Sequence, residues 1–92
     1  MNENEIVLTA GFLGCTEERA FKGGDGTNIP IFSVSFVLNG RPVRFNVSGT
    51  DAVKKLFPVC SSLKYGDFVN LIMKPFVKEE KLVLKMQDVV LA

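Results

Sequence analysis

The residue types that carry side-chain chemistry are sparse in this 92-residue sequence. There is no His, the side chain that most readily moves protons near neutral pH. The two thiols, Cys15 and Cys60, lie far apart, so neither a C-x-x-C redox pair nor a zinc-ligand set can be written. Free Cys is among the most buried residue types, so both read as reduced structural thiols, with a disulfide as the alternative. Gly23-Gly24-Asp25-Gly26 lacks the Lys-Ser/Thr that completes a phosphate-binding P-loop and reads as a plain loop tip. Asp25 is a turn residue and Asp51 a helix-start residue. No catalytic group, metal or cofactor is expected, and the chain is read as a binder rather than an enzyme.

What remains is cationic and aromatic. A sequence-tolerant binder of single-stranded nucleic acid needs cations along the phosphates and rings on which bases stack. The net charge of +1 lacks the clear basic excess of a strong polyanion binder, but its distribution is uneven. From Ala52 onward seven Lys face four acids, whereas the first half carries more acids than bases. Three groups are candidates: Arg44 with Ser33, Ser35 and Asn46, a polar set with one cation and no ring; Arg19, Phe21 and Lys22; and Lys74, Phe76, Lys78 and Lys81. Phe12 is a further stacking candidate. Phe21 and Phe76 serve equally well as plugs for the ends of a barrel, and Phe12 as core.

These groups are positioned by six elements. Glu5–Cys15 is a strand whose Gly11 and Gly14 mark a bulge or bend, and Thr16–Asn28 is a polar loop. Asn39-Gly40 is a strong hairpin signal, because both residues tolerate the positive φ of a two-residue turn. Pairing Leu38 with Arg41 sets Phe36 against Val43, Val34 against Phe45 and Phe32 against Val47 on an inner face. Ser35/Arg44, Ser33/Asn46 and Ile31/Ser48 then share an outer face. Val53, Leu56, Phe57, Cys60 and Leu63 follow helical spacing from an N-cap at Thr50 to Gly66-Asp67, with a kink or break expected at Pro58. Phe68–Phe76 and Leu82–Val90 are strands with Val69/Leu71/Met73 and Leu82/Leu84/Met86 inward, joined by a Val77–Lys81 turn. The order β-β-β-α-β-β predicts an all-β domain over residues 1–92, a five-stranded OB-fold barrel with one helix between strands 3 and 4.

Particular runs carry a resemblance. Ile6–Gly14, followed by a stretch ending in Arg19-Ala20-Phe21, resembles the first strand and following segment of the bacterial single-stranded DNA-binding proteins. Ile31–Ser35 is similar to their second strand. Arg44–Gly49, a helix with Ala52-Val53, and Lys64-Tyr65-Gly66-Asp67-Phe68-Val69 resemble their third strand, helix and fourth strand. There are two departures. That family follows its barrel with a tail ending in an acidic tip, whereas this sequence stops at Val89-Val90-Leu91-Ala92, so no recruitment of replication proteins is carried over. It also stacks bases on Trp and Phe of its open sheet face, whereas Trp is absent here, so weaker or differently placed stacking is implied. The resemblance is then closer to short phage- or plasmid-borne versions, or to the dimeric primosomal replication protein of the same fold.

The resemblance implies binding of single-stranded DNA with little sequence specificity, in replication, recombination or phage or plasmid DNA transfer. The other reading is an OB-fold module for protein or sugar, since fold does not settle function. Exposed strand edges predict a homodimer, or a homotetramer, through strand one. No apolar run approaches the roughly 18–20 residues of a membrane span, and Met1–Glu5 is polar and acidic where a secretory signal would be basic, so a cytoplasmic site is expected.

Overall fold

The Asn39-Gly40 turn organises the molecule. In the computed structural model, which describes residues 5–92, the two take φ of 51° and 78° and join β3 (Asn28–Leu38) to β4 (Arg41–Ser48). The register is the one the turn demands, from Leu38 opposite Arg41 to Ile31 opposite Ser48. Its inner face buries Phe32, Val34, Phe36 and Val47, with Phe45 packed against them. The polar start at Met1–Asn4 lies outside the described residues.

One bent strand serves both halves of the sheet. β1 (Ile6–Cys15) pairs through Ile6–Gly11 with β5 (Phe68–Lys78) and through Gly11–Cys15 with β3, and its pairing slips by one residue between Phe12 and Gly14. The slip turns the strand from one partner to the other, as the two glycines predict. After Cys15 the chain leaves the ladder briefly. Thr16 stays tied to Ser33, donating its N–H to the Ser33 carbonyl (2.8 Å) and accepting the Ser33 N–H on Oγ1 (2.9 Å). The chain then resumes as β2 (Arg19–Lys22) along the same edge of β3. The expected loop over Thr16–Asn28 therefore contains a strand. Nothing in its own apolar pattern calls for one; the free edge of β3 supplies the partner.

β5 and β6 (Lys81–Leu91) form a long hairpin through a two-residue turn, Glu79-Glu80, shorter than the expected Val77–Lys81. Its pairing shifts between Ile72 and Met73, which leaves Gln87 as an extra residue and turns both Met86 and Val89 inward. Leu82 and Leu84 keep the inward parity but are exposed, because the hairpin runs past the core. Helix α1 (Thr50–Ser62) packs on β3, β4 and β6 and buries Val53, Leu56 and Cys60; the Phe57 ring meets Phe32 edge-on at 5.2 Å. Two expectations are corrected here. The N-cap is Gly49, at φ 101°, with no side-chain cap, and of the kink or break expected at Pro58 the break is absent, the helix running continuously through it. Packing of its apolar face offsets the hydrogen bond that Pro58 cannot donate.

The five-stranded barrel is also corrected. The described strands form one antiparallel six-stranded sheet in the order β2-β3-β1-β5-β6, with β4 on the other edge of β3. Among the described residues no ladder joins β4 to β6, so the curled sheet stays open along that seam. No helix is long and apolar enough to cross a membrane.

Candidate nucleic-acid interface

Directly opposed residues of paired strands share a face, so the pairings decide which candidates stand together. On the outer side of β2, β3 and β4, Phe21 lies opposite Ile29, Arg19 opposite Ile31, Ile31 opposite Ser48, and Ser35 opposite Arg44. Arg19, Phe21, Arg44 and Asn46 are exposed and Ser35 is half-buried. Three of the predicted residues do not join this face as ligand contacts. Lys22 pairs with Asn28 and has the opposite parity to Phe21, so it projects from the other side of the ribbon. Phe12 is buried and packs edge-on against Phe36, its ring centroid 6.0 Å away, because inward parity on β1 carries it into the core with Ala10. Ser33 is only 1% exposed, and its hydroxyl donates to Asn46 Oδ1 at 2.7 Å. It orients a neighbour instead of meeting solvent.

The β5–β6 hairpin carries the second half of the site. Its pairings stack Lys74/Lys85, Phe76/Val83 and Lys78/Lys81 on one face, two opposed lysine pairs enclosing an aromatic ring. The other face is apolar, with Pro75/Leu84 and Val77/Leu82, of which Val77 and Leu82 are 72% and 73% exposed. Opposed like charges destabilise a ladder, so this face is poised to gain from an anion laid across it. Lys85 was missed by the sequence reading. The signal was available in the matched alternation Lys74-x-Phe76-x-Lys78 and Lys81-x-Val83-x-Lys85 across one turn.

The two halves meet at the open seam. A cleft of about 360 Å³ between the free edges of β4 and β6 is lined by Asn46 and Ser48 from one side and by Phe76, Lys78, Val83 and Lys85 from the other. A neighbouring hollow of about 310 Å³ is lined by Lys74, Phe76, Lys85 and Gln87. Among the described residues no carboxylate lines either. Arg19 and Phe21 stand farther along the outer face, on β2. The arrangement offers cations, hydroxyls, a carboxamide and exposed rings, which can hold phosphates and bases.

The remaining candidates serve structure. Asp25 accepts the Thr27 hydroxyl (2.6 Å) and the Thr27 N–H (3.1 Å), and these bonds hold its carboxyl below the usual carboxylate range. Burial pushes the Cys60 thiol up to about 12, with the charge on Cys15 adding to the effect, and burial raises Cys15 as well. Both cysteines are free.

A bulged first strand shared between two halves, a meander and a helix before the last hairpin define an open OB-like β-sheet protein. Two solved structures of the protein PriB from Ralstonia solanacearum share this fold. One, at 1.8 Å, matches with a TM-score of 0.52 and 16% identity over 96% of each chain. The other, at 2.3 Å, matches with a TM-score of 0.50 and 14% identity over 97% of this chain and 98% of that one. No family model matches the sequence, and no curated protein does.

Proposed function

We propose that this chain binds single-stranded DNA with little sequence specificity, as a non-catalytic protein of DNA replication acting in the cytoplasm. The observation that carries the reading is the convergence of Asn46 and Ser48 with Phe76, Lys78 and Lys85 on one cleft, which joins the polar outer face of β3–β4 to the lysine-and-ring face of the arm. The fold shared with PriB is in keeping with the sequence resemblance to single-stranded DNA-binding proteins. Arg44, mid-ribbon and exposed, extends the cation path towards Arg19 and Phe21. A homodimer belongs to the same proposal. Ile6–Ala10 has a strand on its β5 side only among the described residues, and exposed Val7, Phe68 and Val90 stand on the adjoining outer face.

The test is anisotropy of a labelled oligo-dT across salt concentrations, with sedimentation for the oligomeric state. Binding should weaken log-linearly with salt as counterions are released, and duplex should bind less well. Arg44→Ala and Phe76→Ala should each weaken it. No binding at low salt, or equal affinity for duplex, would hand the fold to the protein- or sugar-binding alternative.

A further inference from the structure

The open seam is bordered by two edges of unpaired backbone. Leu38 and Arg41 flank a two-residue turn and so form a hydrogen-bonded pair; alternate residues of β4 then bond to β3 while the others turn away. Arg44, Asn46 and Ser48 therefore direct their backbone N–H and C=O groups into the seam. The Glu79-Glu80 turn sets the same alternation on the arm, so Leu82, Leu84 and Met86 direct theirs away from β5 and into the seam from the other side. Among the described residues these groups join no ladder and no turn or cap bond. Pro42 shares the seam parity of β4 and, having no N–H, blunts that edge only at its turn end. Unpaired edges of this kind are templates for a further strand.

The seam also dictates the direction and composition of what would fill it. Every pairing from β4 through β3, β1 and β5 to β6 is antiparallel, so β4 and β6 run in the same direction. One strand running against both would complete an antiparallel ladder on each side and close the sheet. Side chains of such a strand alternate between the two faces. Those turned inward meet Phe45, Val47, Leu84 and Met86; those turned outward meet Asn46, Lys78 and Lys85, with Arg44 beside them on the same face. Among the described residues the charges that line the cleft are all positive. We infer that the β4/β6 seam is a strand-addition site for another protein, taking an extended peptide in which apolar residues alternate with Asp or Glu and which lies antiparallel to both edges. This ligand is distinct from the single strand and the inference does not rest on that reading, but the shared lysines make the two compete.

The experiment measures anisotropy of a short labelled peptide of alternating Val and Glu with the full chain, in the absence of nucleic acid. The alternating peptide should bind at low salt. The same peptide N-methylated at its valines loses the donors of one ladder and no charge; each lost hydrogen bond corresponds to about a three- to tenfold weakening, so binding should fall by more than about tenfold. A peptide with the same residues in two blocks, and one of alternating Val and Lys, should not bind. Lys85→Gln should weaken the alternating peptide by about two- to fivefold. Leu84→Pro gives β6 the blunted edge that Pro42 gives β4 and should weaken it by about three- to tenfold, with the melting temperature checking the fold. Should that variant not fold, the N-methylated peptide still decides. Equal affinity for the N-methylated or the two-block peptide would reduce the binding to charge attraction and overturn the inference, as would no binding of the alternating peptide at low salt, or binding that leaves labelled oligo-dT in place on the same protein. None of these results touches the oligo-dT titration, by which the single-strand reading stands or falls.

Discussion

Neutralising Lys85 should move stability and affinity in opposite directions. Lys85 lies directly opposite Lys74 on the exposed face of the arm. Directly opposed side chains have Cβ atoms about 5 Å apart, and two lysines splay their ammoniums to roughly 7–8 Å. At that distance repulsion is about 0.5 kcal/mol in water and about 0.2 kcal/mol after screening at physiological salt. Lys85→Gln should therefore raise the melting temperature of the free protein by roughly 1–2 °C at physiological salt. On the proposed single-strand reading, the same ammonium would neutralise a phosphate in the complex. Losing one such contact should lower the magnitude of the log-log salt slope by about 0.7, which amounts to about fivefold weaker binding at 0.1 M salt with convergence near 1 M. Thermal melts and oligo-dT titrations at four salt concentrations measure both effects. Unchanged affinity and an unchanged slope would refute the placement of a phosphate across the lysine pairs, whatever the melting temperature does.

Other perturbations separate structural from binding roles. Phe76→Ala should cost about 1–3 kcal/mol of single-strand affinity with little loss of stability, whereas Phe12→Ala should cost about 3–5 kcal/mol of stability by opening a cavity in the core, as read by urea denaturation. Glu79 and Glu80 both hold positive φ, 51° and 64°, in a two-residue turn. Glu79→Asn with Glu80→Gly should stabilise the protein by about 1 kcal/mol, since left-handed backbone disfavours Glu. Because burial raises the Cys60 thiol to about 12, the unfolded chain ionises first, so stability should hold below about pH 9 and fall between there and the folded value. Cys60→Val should flatten that alkaline decline in a pH series of melts, and an identical decline would remove the thiol as its cause.

What was legible in the sequence was local. Asn39-Gly40 set the β3–β4 register because two positive-φ residues admit one tight turn, and alternation then fixed which side is greasy. The helical spacing of Val53, Leu56 and Cys60 survived in α1 for the same reason. What failed depends on distant partners. β2 is a strand because β3 has an edge to offer, and Arg19–Lys22 alone says nothing of it. Ser33 looked like a surface hydroxyl, since alternation gives a face but not what the curled sheet leaves accessible. Lys22 was grouped with Phe21 by proximity, although neighbours on a strand point to opposite sides.

The double allegiance of β1 also shapes how the chain acquires its form. Roughly three-quarters of the sequence separates Ile6 from its partner Met73, whereas the β3–β4 ribbon closes over two residues. Pairings so remote are reached late and slowly. During synthesis Leu8 and Ala10 must wait uncovered until β5 emerges, while Phe12 can already find Phe36. The stretch before Gly11 is thus the portion most at risk of meeting another nascent chain before its own.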